Sequence, residues 1–163
     1  MTGFQLRPAS RSDSRLLGDM VVEAANWDVA RRRQRIAILE DPAHSRYIDG
    51  WRRPGDAGTI AVDDLGSAIG ACWFRLFSAD APGYGYVAGG VPELILGVKP
   101  VWRAQGVGRA LLRAAVACAR DGGYARLSLS VARANHAVAL YRSEGFVVVG
   151  DVGTRHTMVR TLR

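Results

Sequence analysis

Lysine is nearly absent from this chain. Lys99 is the only one, although lysine and arginine together number 22 and the formal charge is +7. The positive charge is carried instead by arginines scattered over the whole length. Such a balance draws polyanions non-specifically and keeps a nucleic-acid binder in view. The one dense cluster, Arg31, Arg32, Arg33 and Arg35, has the aromatics Trp27 and Tyr47 only at its margins. It lacks zinc-ligand spacing and the aromatic-rich strands of RNA-binding sheets. It reads as a solvated helix face, or as a charged neighbour of a substrate or acidic partner.

Cysteine is scarce as well. Cys72 and Cys118 are far apart and both sit in apolar runs, which predicts two buried free thiols rather than a disulfide or a metal site. His44, His136 and His156 are equally dispersed, so no metal is expected. No stretch supplies the ~20 uninterrupted apolar residues of a membrane span. The start, MTGFQLRPAS, lacks the basic, apolar, small-residue order of a signal peptide. The expectation is a cytoplasmic protein with no membrane partner. Apolar residues at 48% and charged residues at 23% fit a globular fold, and 163 residues suit one domain spanning 1–163. A domain of that size buries roughly 70% of the surface its unfolded chain exposes.

Periodicity organises the chain. FQLRP alternates as a short strand that Pro8 ends. Ser12 or Asp13 offers an N-cap for a helix carrying Leu16, Leu17, Met20, Val21 and Ala24. A second helix is expected over Val29 to Leu39, with Ile36 and Leu39 as its apolar contacts and Asp41-Pro42 as its stop. Thr59 to Val62 and Ala68 to Phe77 read as a hairpin around Asp63 to Gly66, and Ser78 to Gly90 as a loop. Glu93 to Val98 (ELILGV) is nearly all apolar, as in a central strand covered on both faces. An amphipathic helix from about Gly106 to Arg120 follows, closed by Gly122-Gly123. The strand RLSLSV (Arg126 to Val131), a short helix (Asn135 to Glu144) and two final strands (Phe146 to Val149, His156 to Leu162) complete the chain. Strands and helices interleave, so the class is α/β with a mixed sheet.

The chemistry concentrates in strand, turn and helix: ELILGV, KPVWRAQGVG, then the amphipathic segment. A helix start carries unpaired N–H groups and partial positive charge, and so receives anions. Gly106 and Gly108 remove side chains where backbone would approach a phosphate, and Arg103 or Arg109 adds charge. A dinucleotide fingerprint needs a third glycine where Leu111 stands, and a nucleoside-triphosphate loop needs a lysine that the turn lacks. Taken alone, the turn also allows a glycine-relieved helix start with no ligand. Ser128 and Ser130 alternate with leucines and read as outward polar positions. Trp27, Trp51, Trp73 and Phe74 are either core or the lining of an acceptor pocket.

Arg103-x-x-Gly106-x-Gly108 resembles the Gln/Arg-x-x-Gly-x-Gly/Ala motif of the GNAT superfamily of N-acetyltransferases. The likeness extends through ELILGVKPVWRAQGVGRALL and on to SLSVARANHAVALYRSEGF, whose Asn135, Tyr141 and Gly145-Phe146 match the family's downstream signature. The resemblance implies a mostly antiparallel mixed sheet with splayed central strands and about four helices. It implies acetyl-CoA as co-substrate, its pantetheine arm along Leu96 to Val98 and its pyrophosphate on the amides of Gln105, Gly106, Val107, Gly108, Arg109 and Ala110. The Val98 N–H is then the donor to the thioester carbonyl. Tyr141 is the implied acid to the departing thiolate and a cofactor contact. Asn135 is the helix cap or a ligand to the pantetheine or nucleotide portion. An alkylamine of pKa about 10 is only about 0.1% neutral at pH 7, so transfer needs a base or a water relay. Glu93, one of four glutamates, is the candidate base, with a solvent-facing charge as its plainer reading.

The function these readings imply is acetyl transfer from acetyl-CoA directly to a primary amine on a small molecule or peptide. The alternative is a non-catalytic acyl-CoA sensor of the same fold. The resemblance counts against the nucleic-acid reading. A homodimer is a family habit.

Overall fold

The computed structural model describes residues 3–162. These form seven strands and five α-helices. The strands are β1 (Phe4–Pro8), β2 (Ala57–Asp63), β3 (Ala68–Arg75), β4 (Glu93–Val98), β5 (Arg126–Ala132), β6 (Val147–Val152) and β7 (Arg155–Thr161). The helices are α1 (Ser14–Ala25), α2 (Arg35–Leu39), α3 (Pro42–Ser45), α4 (Val107–Asp121) and α5 (Ala137–Ser143). One sheet runs β1-β2-β3-β4-β5-β7-β6, antiparallel throughout except between β4 and β5.

The pleat sends alternate residues to two separate cores. Leu94 of β4 and Leu127, Leu129 and Val131 of β5 join Leu111, Leu112 and Ala115 of α4 on one face. Ile95 turns to the other face, where Leu17, Met20 and Val21 of α1 pack with Tyr47, Trp51 and Trp73. At Gly97 the backbone of β4 touches α1 so closely that a Cβ would collide with the Met20 carbonyl. The helix can settle onto the strand there only because the residue is glycine.

The expected helix over Val29 to Leu39 does not form as one piece. A 3-10 turn covers Val29–Arg31, the backbone extends at Arg32 and Gln34, and α2 starts at Arg35. The cause is Asn26. Its buried carboxamide donates to the Arg33 carbonyl (2.9 Å) and accepts from the Arg33 N–H (2.8 Å), so both backbone groups are taken from a helix ladder. Ile38 is the buried contact of α2, whereas Ile36 is exposed. Pro42 opens α3 instead of only ending α2, and Asp41 caps it by accepting from the Ala43 N–H (3.0 Å). These breaks account for five helices rather than about four.

Near the N-terminus, Ser14 opens α1 after a 3-10 turn at Arg11–Asp13. Asp13 accepts from the Ser10 N–H (2.6 Å) and from both terminal nitrogens of Arg7 (2.9 Å each), fastening β1 to the entry of α1. Cys72 is buried and Cys118 half-buried, and both are free thiols. No described helix is long and apolar enough to cross a membrane.

Candidate active site

The parallel pair β4/β5 meets only at Glu93↔Ser128, where the Ser128 N–H donates to the Pro92 carbonyl (3.0 Å). Beyond that point the strands part. At the far end of β4 the Lys99 N–H donates to the Ile69 carbonyl of β3 (2.8 Å). Since successive residues of a strand face opposite neighbours, the N–H groups of Gly97 and Ile95 also turn to β3. Those of Leu96 and Val98 therefore open into the gap on the β5 side. These two ladder donors could pair with an extended chain laid along the gap.

At the top of the gap, Ala104 and Gly106 both adopt the left-handed conformation (φ 60° and 86°) and swing the chain into α4. The first backbone bond of the helix runs from the Ala110 N–H to the Gly106 carbonyl (3.1 Å). The amides of Val107, Gly108 and Arg109 thus precede any intrahelical partner, and no side chain caps them. Gly106 is required by its φ. Gly108 is required by neither φ nor packing, because a Cβ there would make only ordinary contact with Leu140 at 3.5 Å. The side chains around the turn fold away from it. Gln105 Nε2 donates to the Val101 carbonyl (2.9 Å), and Arg103 Nε to the Val98 carbonyl (3.4 Å). Arg109, expected as the alternative to Arg103 in lending charge to the turn, has its guanidinium on Glu144 and Ser143 Oγ (3.0 Å) instead. Its backbone amide, not its charge, remains at the helix start.

A cavity lies in the gap. Leu96, Asn135 and Tyr141 line it, and so do Trp27, Tyr47, Tyr84 and Arg155. Tyr141 is buried with its ring edge-on to Phe146, and burial raises its phenol well above the ordinary range, so it keeps its proton. Asn135 Oδ1 accepts from the Ala137 N–H (2.9 Å), which makes it a cap of α5 that also reaches the cavity wall.

Glu93 is buried, not solvent-facing. Its Oε2 accepts from the Tyr47 hydroxyl, while Oε1 has no hydrogen-bond partner among the described residues. Burial pushes the carboxyl up to about 7, partly opposed by the Tyr47 bond. Glu93 does not itself line the cavity, but its partner Tyr47 does. The Tyr47 hydroxyl donates to Glu93 and its oxygen accepts from the Tyr84 N–H (2.9 Å), which leaves the oxygen one free lone pair, and Tyr47 is part of the cavity wall. Burial, and then the Glu93 charge, hold the Tyr47 phenol protonated. The loop between β3 and β4 makes this possible: a Cβ at Gly83 would overlap Glu93 Oε1, and one at Gly85 would lie 2.6–2.9 Å from the Leu129–Ser130 backbone.

Of the residues singled out in the sequence, Leu96, Asn135 and Tyr141 lie on the cavity wall, Glu93 bonds to Tyr47 of that wall, and the glycine turn opens α4. Tyr47, Tyr84 and Arg155 also line the cavity, and nothing in the sequence marks them as doing so. Only a cross-chain contact marks them, and no local spacing carries that signal. Ser128 and Ser130, expected on an outward face, point inside: Ser128 is buried and Ser130 lines the cavity. Of the four aromatics, Trp27 lines the cavity, while Trp51, Trp73 and Phe74 are core.

Residues 55–148 match the acetyltransferase (GNAT) domain model. A mycothiol acetyltransferase from Propionibacterium freudenreichii subsp. shermanii is 34% identical over 119 residues, which span 72% of this chain and 36% of that protein. The PaiA N-acetyltransferase of Thermoplasma acidophilum, crystallised with coenzyme A, superposes with a TM-score of 0.67 at 18% identity, covering 98% of this chain and 99% of the other. A GNAT-family acetyltransferase from Staphylococcus aureus Mu50 gives 0.67 at 15% identity, covering 99% and 100%.

Proposed function

Because the chain belongs to the GNAT acetyltransferase family, we propose that it moves an acetyl group from acetyl-CoA directly to a primary amine, with no covalent enzyme intermediate. The observation that carries this reading is the pair of open N–H donors on β4 beside uncapped amides at the start of α4. The residues fit an extended, anionic cofactor. Leu96 and Val98 would pair with its amide-bearing arm, and the amides of Gln105 to Ala110 would receive its phosphates. Close approach of those phosphates supplies the reason for glycine at 108 that packing does not. Acetyl-CoA, once bound, supplies the activated acetyl thioester.

The protein's own groups divide the remaining work. The Val98 N–H stabilises the oxygen on which negative charge grows. Tyr47 takes a proton from the attacking nitrogen as it passes its own to Glu93, so the base acts through the phenol. Nitrogen forms the new amide bond while the carbon–sulfur bond breaks, and Tyr141 gives its proton to the departing sulfur. Glu93, poised near 7, holds the proton taken from the amine. Burial of both tyrosines keeps their protons in place until the reaction needs them.

An acetyl-CoA thiol-release screen over pooled amines and short peptides tests the proposal. Acceptor-dependent thiol release is expected. Saturable acetyl-CoA binding with no release across a broad panel would leave only a binding module of this fold.

A further inference from the structure

We infer that the acceptor is a small amine that also carries a carboxylate, held by Arg155. The inference rests on the acetyl-transfer reading above and deepens it by naming the substrate class. The cavity wall contains no aspartate or glutamate, and Arg155 is its one fixed charge among the described residues. His44 adds none. Burial and then the Arg33 charge lower its pKa, and its Nε2 stands 2.9 Å from Arg33 Nη2.

Arg155 is built in rather than loosely placed. Its Nε donates to Ser130 Oγ (2.7 Å) and its Nη2 to the Ser130 carbonyl (3.1 Å). The guanidinium carbon sits 5.2 Å from the centre of the Tyr84 ring. Two hydrogen bonds and a stacked ring fix the group, yet it pairs with no carboxylate among the described residues. Nη1 makes no hydrogen bond within the described protein. A half-buried guanidinium with one edge anchored and the other open is suited to an oxyanion brought by a ligand.

Its position selects the acceptor over the cofactor. On β5, Leu127, Leu129 and Val131 face the α4 core, so Ser128 and Ser130 face the opposite side. Arg155 lies directly across from Ala132, in the even register, and therefore on the side of Ser130, Tyr47 and Glu93. The uncapped amides lie at α4, on the other face. An amine presented to Tyr47 thus has a fixed positive charge on the same side of the sheet, and the nearest carboxyl, Glu93, is a partner of Tyr47 outside the cavity lining that burial holds protonated below about pH 7. A polyamine finds repulsion there, and an amino carboxylate finds a partner.

The test compares the common L-amino acids with their carboxamides, by acetyl-CoA thiol release and by calorimetric titration onto the CoA-loaded protein. Wild type should prefer the acids by about 100-fold in kcat/KM. Arg155→Gln should raise KM for the preferred acid by about 100-fold, leave kcat within about threefold, erase the acid-over-amide preference and leave the acetyl-CoA Kd unchanged. Arg155→Lys should recover part of the preference. The wild-type comparison needs no variant, so a misfolded substitution cannot hide the result. Equal use of acids and amides, turnover of other amines alone, or no calorimetric preference would overturn the inference and leave acetyl transfer standing. Weakened acetyl-CoA binding in Arg155→Gln would also overturn it, assigning the charge to the cofactor. Failure of wild type to bind acetyl-CoA would instead overturn the acetyl-transfer reading itself, and the inference with it.

Discussion

Arg75 and Glu93 face each other across the β3–β4 ladder, both buried, and form no ion pair among the described residues. Arg75 is satisfied elsewhere: Nε donates to Asp56 Oδ1 (3.2 Å), Nη2 to Asp56 Oδ2, and Nη1 to the carbonyls of Arg46 and Asp49 (2.8 Å each). Asp56 thereby keeps the cation away from Glu93. Burial can then raise the Glu93 carboxyl to about 7, where an adjacent guanidinium would have lowered it.

Asp56→Asn should therefore act in two places. It leaves a buried guanidinium uncompensated, at a cost of about 3–5 kcal/mol in urea unfolding. In whatever folded protein remains, Arg75 can turn to Glu93, and the lower limb of the pH–rate profile should move to lower pH. An unchanged limb in folded protein would show that Asp56 does not shield Glu93.

Gly83 is needed because a Cβ there would overlap the Glu93 carboxylate. Gly83→Ala is expected to reduce kcat by about 10–100-fold with acetyl-CoA affinity unchanged, since the loop sits apart from α4. Steady-state kinetics beside calorimetric cofactor binding would separate the two effects.

The proposed base role of Glu93 carries a pH dependence. A base works deprotonated, so kcat at saturating acceptor and acetyl-CoA should rise about tenfold per pH unit below about 7, and the Glu93 limb should level off above it. Glu93→Gln should abolish this limb. In stability the sign is reversed. The folded carboxyl has a pKa of about 7 against an ordinary 4.5, so the native state holds the extra proton between these values. The Glu93 contribution to stability then falls as pH rises from about 4.5 to about 7.

Asp13 is the opposite case. Hydrogen bonds from Arg7, above all, pull its carboxyl from 3.8 down to about 2. Its contribution is present above 3.8 and lost as pH falls through about 2. Arg7 is 42% exposed, so solvent screening reduces the effect. Asp13→Asn should cost about 1 kcal/mol at pH 7, seen as a lower urea midpoint, and should flatten stability between pH 4 and 2.

The sheet and α4 were legible because their signals are local. ELILGV has the composition of a doubly covered strand, and the Gly106–Gly108 turn leads directly into an amphipathic helix. The segment 26–47 was not legible in the same way. Its course depends on the Asn26 carboxamide reaching the Arg33 backbone seven residues on. The site divides along the same line. Glu93 and Tyr141 sit inside recognisable motifs, but the phenol that connects Glu93 to the cavity comes from Tyr47, 46 residues away. Arg155 joins the wall from β7, and no spacing rule foretells that either.

The most direct test of the account is Tyr141→Phe, with thiol release at saturating acetyl-CoA and cofactor binding measured on the same preparation. Phenylalanine keeps the edge-on contact with Phe146 and removes only the proton donor. The account predicts a kcat lower by about 10²–10³ with the acetyl-CoA Kd within about twofold of wild type. An unchanged kcat, or a loss of activity that simply follows lost acetyl-CoA binding, would contradict it.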